Sequence, residues 1–212
     1  MTKSHQKKSF RMKPVFDKIQ QLSKPFLNTR HNDVHTEIST SLAFQILEQE
    51  GGDEDIVIPA IFLHDTGWKR VPSKLHLKAF GPNATNPKLN RLHEVEGMKI
   101  AQEILQKIQY DDHKTDKILE IIDGHDSRTT PISLNDMIVK EADKLWRYTR
   151  SGFYIDIERF GESHEEGLNR LRPNLVGWFF TVTAKQMAAD KLSRRANEKT
   201  DNNPGNVSTE YQ

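Results

Sequence analysis

Histidine and aspartate are the residues of this chain whose types and spacing could support chemistry. The 212 residues include nine histidines and no cysteine, so the available metal ligands are imidazole nitrogens and carboxylate oxygens. Such ligands suit zinc, manganese, iron or nickel, whereas the missing thiolates exclude cysteine nucleophiles, disulfides and Cys-ligated clusters. His64 and Asp65 close a long apolar run, where an ionised carboxylate is costly unless it is paired, hydrogen-bonded or metal-bound. A pair that faces water at a helix end is the alternative.

Similar residues recur along the neighbouring segments. His35 lies beside an apolar stripe, His93 opens the next helical segment in LHEVEG, His125 closes another in IIDGHD, and Asp143 lies in EADKLW. Each of them alone is equally well explained as a satisfied core or boundary residue. Together they place an imidazole or a carboxylate near the buried face or the end of every core helix predicted between 32 and 148. That combination favours a metal site of nitrogen and oxygen ligands.

The elements that must position these residues are predicted to be helices. Apolar residues recur with helical spacing, and one helix is predicted to stop at Gly51-Gly52. The run IVIPAIFL also suits a buried strand, but its helical neighbours and Pro59 favour a helix. No alternating pattern is long enough to indicate a strand, so the predicted fold class is all-α. The predicted helices span 15–27, 32–50, 54–65, 93–108, 115–125, a segment opened by a capping box of Ser133 and Asp136, and roughly 174–197 after Pro173.

Charge is distributed unevenly along a chain that is nearly neutral overall. The formal net charge is +1, from 31 basic and 30 acidic residues, which argues against broad nucleic-acid binding. Residues 1–14 and 198–212 are predicted to be a basic and a polar disordered tail. Residues 66–93 contain six basic residues and no acidic one, and they are predicted to form mostly a long loop. This loop is either solvated surface or a positive lid over a site for an anionic substrate.

The low apolar content bears on the cellular location of the protein. The hydrophobic fraction is 35%, and no apolar run approaches the ~18 residues that a membrane-spanning helix needs. The N-terminus also lacks the apolar core of a signal peptide. We therefore expect a cytoplasmic protein with no membrane partner.

The order of these residues resembles the HD-domain superfamily of metal-dependent phosphohydrolases. The resemblance rests on TRHNDVHTE, AIFLHDTGW, LHEVEG and EADKLW, and it covers about residues 28–150. The two extra histidines, His93 and His125, are similar to those of the dinuclear subgroup, which includes enzymes that hydrolyse dinucleoside polyphosphates. The Gly-Tyr-Pro signature of the dinuclear cyclic-dinucleotide phosphodiesterases is missing, which disfavours that activity. The resemblance implies a bundle of roughly seven to nine helices, with 15–197 as one domain and 151–197 as its C-terminal helices.

The resemblance also implies a role for each ligand and a cofactor. Asp65 would bridge two divalent metal ions, with His35, His64 and Asp143 on one ion and His93 and His125 on the other. Iron and manganese are the first choices, and magnesium, zinc, nickel or cobalt are the others. Two such ions share a water whose pKa falls toward about 7, and the hydroxide attacks phosphorus. The charge that remains on such a site favours a small, anionic, phosphate-containing substrate.

Four basic residues are candidates for contacts with that substrate. Arg147 follows Asp143 by four residues on the same predicted helix face, Lys69 follows the His-Asp step by four, and Arg30 precedes the first ligand by five. Arg70 lies in the same basic loop as Lys69. We expect Asp65, Lys69 and Arg147 to take part in catalysis, and Arg30, Lys69, Arg70 and Arg147 to bind substrate. Ordinary surface charge is the alternative for each basic residue.

Other assignments stay open on the sequence alone. Glu94 and Asp126 either orient the neighbouring imidazoles or are solvated acids. Arg159 and Arg172 either contribute to the pocket or lie on the surface. A di-iron oxygenase of the same superfamily would use the same six ligands, and a non-catalytic metal-binding module is a further alternative. The substrate and the oligomeric state are not determined by the sequence.

Overall fold

The computed structural model describes residues 12–198, so the tails predicted at 1–14 and 198–212 lie almost wholly outside the described residues. The described chain is all-α and contains no strand, which confirms the predicted fold class. Nine of its α-helices have eight residues or more, and two are single turns. The helices are α1 Pro14–Leu27, α2 Asn32–Glu50, α3 Glu54–Leu63, α4 His76–Ala79, α5 Lys88–Lys107, α6 Asp112–Ile122, α7 Leu134–Leu145, α8 Arg150–Phe160, α9 His164–Leu171, α10 Asn174–Gly177 and α11 Val182–Asn197.

Helix α3 is the centre of the bundle. Its residues 56–63 are all buried, and it contacts α1, α2, α5, α6 and α7. Pro59 lies inside this helix and has no N–H to offer the carbonyl of Asp55 four residues earlier. The hydroxyl of Tyr110 donates to that carbonyl at 2.6 Å. A side chain from another part of the chain therefore replaces the hydrogen bond that proline removes, and the run forms a helix as predicted.

The segment predicted as a long basic loop is more ordered than expected. Residues Thr66–Arg70 and Ser73–Leu75 form 3-10 turns, and α4 follows them. Helix α5 begins at Lys88, so its first turn lies within the predicted loop. Gly67 makes this arrangement tight, because a Cβ there would lie 1.9 Å from the carbonyl oxygen of His93. The glycine lets the turn after Asp65 press directly against α5.

The prediction of a single last helix over residues 174–197 was wrong. It is divided into α10 and α11, and Thr181 caps the second by accepting from the amide of Ala184. The carboxylate of Glu141 on α7 also accepts the amides of Phe180 and Thr181, both at 2.6 Å. These bonds satisfy amides that a continuous helix would have bonded internally, and α11 then packs on α2, α7 and α9.

One buried hydrophobic cluster extends from Phe16 to Leu192 and includes residues of α8, α9 and α11. We keep residues 15–197 as a proposed single domain on the basis of this shared core. No helix among the described residues has the length and apolar character needed to cross a membrane.

Candidate metal centre

The six predicted ligands lie at helix ends and first turns that converge on one buried place. His35 lies on the first turn of α2, and His64 and Asp65 follow the last residue of α3. His93 lies on α5, His125 lies in the turn after α6, and Asp143 lies near the end of α7. All six are buried, and none is more than 8% exposed.

The first group of donor atoms comes from α2, α3 and α7. The Nε2 atoms of His35 and His64 are 3.0 Å apart. Asp143 Oδ1 lies 3.4 Å from His35 Nε2 and 3.7 Å from His64 Nε2. These three residues form a set of mutually close metal-ligand atoms.

The second group comes from α5 and the turn after α6. The Nε2 atoms of His93 and His125 are 3.1 Å apart. Asp126 Oδ2 lies 3.7 Å from His93 Nε2 and 4.0 Å from His125 Nε2. The sequence suggested Asp126 only as an orienting residue or a solvated acid, whereas the structure places its carboxylate among the donor atoms of this group.

Asp65 lies between the two groups. Its Oδ2 is 3.6 Å from His35 Nε2, and its Oδ1 is 3.7 Å from the Nε2 atoms of both His93 and His125. The indole N–H of Trp68 donates to Oδ1 at 3.0 Å and fixes this carboxylate. Oδ1 also lies 3.8 Å from His64 Nε2, so the carboxylate of Asp65 lies close to donor atoms of both groups, as a bridging ligand must.

Backbone carbonyls orient two of the imidazoles. His64 Nδ1 donates to the carbonyl of Ile61 at 2.8 Å, and His125 Nδ1 donates to that of Ile122 at 2.9 Å. A neutral imidazole that donates from Nδ1 carries its lone pair on Nε2, which is the atom that faces the cluster. Trp68 fixes the ring of His93 by stacking on it at 4.1 Å between centroids.

The donor set fits divalent metal ions. Imidazole nitrogens bind such ions at about 2.0–2.1 Å and carboxylate oxygens at about 2.0–2.2 Å. Two atoms bound to one ion therefore lie about 3–4 Å apart, and the distances above fall in that range. Nitrogen and oxygen donors without thiolate suit iron, manganese, zinc or nickel.

The protonation of the cluster suits ligation. Burial lowers the pKa of His35 to about 3 and that of His93 to about 4, so both imidazoles are neutral at physiological pH. Burial would raise the pKa of Asp65, but the imidazoles of His64, His125 and His35 hold it well below its usual range. Burial also opposes charge on His125, yet the nearby carboxylates of Asp65 and Asp126 raise its pKa to about 9. Binding of a metal ion by His125 would therefore release a proton.

Lys144 places a positive charge beside two carboxylates of the cluster. Its ammonium contacts Asp126 and also lies 2.7 Å from Asp143 Oδ2. Burial opposes this charge, but the two carboxylates raise the pKa of Lys144 above its usual range. Lys144 was not predicted from the sequence, although its position directly after Asp143 was the available signal.

Glu94 is not a solvated acid. Its side chain is fully buried and accepts hydrogen bonds from the amides of Asp126 and Ser127 at 2.9 and 2.7 Å. The Ser127 hydroxyl donates to it at 2.7 Å, and Arg91 forms an ion pair with it at 3.1 Å. Glu94 therefore fixes the backbone of the turn that carries His125, rather than bonding an imidazole ring.

A cavity of about 400 Å³ opens onto the metal-ligand atoms. Arg30 and Arg147, two of the four basic residues predicted to bind substrate, line it, together with Arg159 and Arg170. Lys69 and Arg70 do not line it: both are exposed, and Lys69 Nζ lies 3.4 Å from the carbonyl of Asn28. Sequence spacing placed Lys69 near the His-Asp step but could not show which way the 3-10 turn directs its side chain.

The C-terminal segment contributes more to the cavity than the sequence indicated. Arg159 lines it, whereas Arg172 is exposed and pairs with Glu165 at 3.4 Å. Arg170 was not considered at the sequence level. The signal that could have found it is weak, because a basic residue on a short polar helix is ordinary surface in most proteins.

Two comparisons relate this chain to proteins with HD domains. The model of the HD-domain family matches residues 33–147, which is more than half of the chain. A solved structure described as a predicted HD superfamily hydrolase from an uncultured Thermotogales bacterium is similar to this chain, with a TM-score of 0.58 and 20% identity. The similarity covers 85% of this chain and 86% of that one, and at this identity it shows the fold alone. No curated protein matches the chain significantly.

Proposed function

This chain belongs to the HD-domain family, and on that premise we propose that it is a metal-dependent phosphohydrolase. It would cleave a phosphoester or phosphoanhydride of a small, anionic, nucleotide-like substrate. The observation that carries the proposal is the pair of buried donor groups joined by Asp65, at the base of a cavity whose wall is rich in arginine.

The ligand sets follow from the two groups. His35, His64 and Asp143 would hold one ion, His93 and His125 the other, and Asp65 would contact both. We add Asp126 to the second set on the strength of its distances. Iron and manganese are the first choices, with magnesium, zinc, nickel and cobalt as the others. Such ions act as Lewis acids toward a phosphoryl oxygen and lower the pKa of water toward about 7.

Arg147 would orient the phosphoryl group against this centre, and Arg30 would contact another part of the substrate. Arg147 lines the cavity, and its guanidinium donates to Asp156 at 2.6 Å, which fixes its position. Arg30 also lines the cavity and remains a proposed substrate contact. A guanidinium presents two parallel N–H groups to phosphate oxygens and stabilises charge that develops on them. Lys69 and Arg70 are left out of this proposal because neither side chain lines the cavity.

Elemental analysis of the purified protein should find a divalent metal. Phosphate release from a panel of nucleotides is then measured with that metal, in the wild type and in His64→Ala and Asp65→Ala. Both variants should lose metal-dependent release. His113→Ala and Asp116→Ala on α6 are matched controls, since both residues are exposed, belong to neither donor group and do not line the cavity.

Two outcomes would contradict the proposal. Unchanged turnover in Asp65→Ala would show that the cluster is not the site of catalysis. Substrate loss that requires O₂ and stops under anaerobic conditions would identify the oxygenase alternative, which uses the same kind of ligands.

A further inference from the structure

We propose that Arg30, Arg159 and Arg170 form a recognition subsite for a second anionic group of the substrate. Preferred substrates would then carry a carboxylate or a second phosphate in addition to the phosphoryl group that reacts. This inference rests on the proposed function, because it assigns the wall of the same cavity.

The first argument is the charge balance of the cavity wall. Asp156 on α8 is fully buried and pairs with Arg147 at 2.6 Å, Arg159 at 2.9 Å and Arg170 at 3.8 Å. Glu162 pairs with Arg170 at 2.9 Å. Among the ion pairs of the described residues, Arg30 has no carboxylate partner. Asp65, Asp126 and Asp143 also line the cavity, but metal ions at the candidate centre would offset their charge. A concave wall with excess positive charge is suited to an anionic ligand.

The second argument is the placement of Arg30. Its guanidinium carbon lies 4.0 Å from the ring centroid of Trp68 and 4.1 Å from that of Phe80. These aromatic faces hold the plane of the guanidinium. Its Nε and Nη1 atoms are buried and have no hydrogen-bond partner among the described residues, although the residue lines the cavity. Buried donors without a partner are rare in folded proteins, so the described residues leave the hydrogen-bonding capacity of Arg30 unmet.

The third argument is the backbone that carries Arg30. Arg30 and His31 are consecutive non-glycine residues with φ of 57° and 59°, in the left-handed region that L-residues disfavour. Arg159 donates to the carbonyl of Arg30 at 2.7 Å and holds this turn in place. Such conformations persist where the surroundings enforce them and concentrate at functional sites. The strained turn and Arg159 together point to a built arrangement rather than incidental surface charge.

The position of the arginines fits a substrate with two anionic groups. The cavity that they line is also lined by Asp65, Asp126 and Asp143 of the candidate metal centre. Its volume of about 400 Å³ falls within the usual range for small-molecule sites. One anionic group can therefore lie at the metal centre while a second meets the arginines. Arg30, Asp156, Arg159 and Arg170 all lie outside residues 33–147, so these contacts come from parts of the chain that the family model does not cover.

Two phosphonates that differ by one anionic group test this inference. Methylphosphonate carries one such group, and phosphonoacetate carries a phosphonate and a carboxylate. Their binding to the metal-loaded protein is measured by calorimetry in the wild type, in Arg30→Met and in Arg30→Lys. We expect the wild type to bind phosphonoacetate about tenfold more tightly or better, since one charged hydrogen bond has that effect.

Arg30→Met keeps an apolar side chain of similar length between the rings of Trp68 and Phe80. It should bring the two affinities close together, with methylphosphonate binding little changed. Arg30→Lys keeps the charge without the planar fork and should give an intermediate preference. Arg194→Met on α11 is the matched control: it removes an exposed arginine that does not line the cavity, and the preference should remain.

Equal affinities in the wild type would overturn the inference. So would a preference that persists in Arg30→Met, because chelation of the metals by phosphonoacetate would then explain it. If Arg30→Met does not fold, as judged by its melting curve, Arg30→Lys decides the question. Phosphate release without any Arg30-dependent preference would refute the subsite alone. An Arg30-dependent preference without phosphate release from any nucleotide would support the subsite and refute the proposed hydrolysis.

Discussion

Replacing Glu94 by alanine should destabilise the turn that carries His125. Glu94 is fully buried, and its carboxylate accepts two backbone amides, those of Asp126 and Ser127. Alanine would leave both amides without an acceptor, and water could restore only part of the lost bonding. Ser127 is exposed, so water can accept from its hydroxyl, and Arg91 keeps Asp123 as a partner at 2.7 Å. These two groups therefore add little to the loss.

The magnitude follows from the two amides. A buried donor left without a partner costs about 1–3 kcal/mol, so the two together cost about 2–4 kcal/mol after partial relaxation. For a domain of this size, each kcal/mol shifts the melting temperature by about 2–4 °C. Glu94→Ala should therefore melt about 4–16 °C below the wild type. Its affinity for metal should also fall, because the turn holds His125 in place.

Glu96→Ala is a matched control on the same helix. Glu96 pairs with Lys99 at 2.7 Å on the surface, where its side chain is 23% exposed. Such a pair contributes about 0.2–0.5 kcal/mol, so this variant should melt within about 2 °C of the wild type. Thermal unfolding by circular dichroism, with and without added Mn²⁺, measures both variants. If Glu94→Ala and Glu96→Ala melt together, the assignment of Glu94 as the anchor of this turn is wrong.

Three further predictions test the packing and the metal centre. Gly67→Ala should strongly lower the free energy of unfolding measured in urea, since the added Cβ would lie 1.9 Å from the His93 carbonyl oxygen. Gly177→Ala is the control and should be nearly neutral, because no atom lies within 4 Å of the Cβ that it adds. Glu141→Ala should lower stability by about 2–4 kcal/mol, because the amides of Phe180 and Thr181 lose their acceptor, and equal urea midpoints would contradict this. Metal at 100 times its dissociation constant should stabilise the protein by about 2.7 kcal/mol, and a chelator should reverse the resulting rise in melting temperature. A melting temperature that changes with neither metal nor chelator would contradict the metal centre.

Much of the helical framework is readable from local signals. Gly51 and Gly52 adopt positive φ and end α2, and Asp53 caps α3 by accepting the amide of Asp55. These features act over a few residues, so the spacing of apolar residues and the positions of glycines and capping residues predict them. The break between α10 and α11 escaped prediction because Glu141, some forty residues earlier, competes for the amides that a continuous helix would use.

In the candidate site, too, some features follow from local sequence and others from contacts between distant residues. The six predicted ligands stand out because polar groups that interrupt apolar helices need partners, and all six do converge. The placement of Asp126, Lys144 and Arg159 depends on contacts between elements that are distant in sequence. Spacing alone also could not separate Lys69, which is exposed, from Arg147, which lines the cavity.

The sequence by itself determined the all-α class, the approximate bounds of α1, α2 and α3 and the kind of ligand available, because these depend on residue type and local spacing. Only the tertiary structure decided which charges face the cavity. Arg30 and Arg159 are 129 residues apart, and the guanidinium of Arg159 donates to the backbone carbonyl of Arg30. A contact of that kind is fixed by the packing of α8 near the start of α2, and no local pattern encodes it.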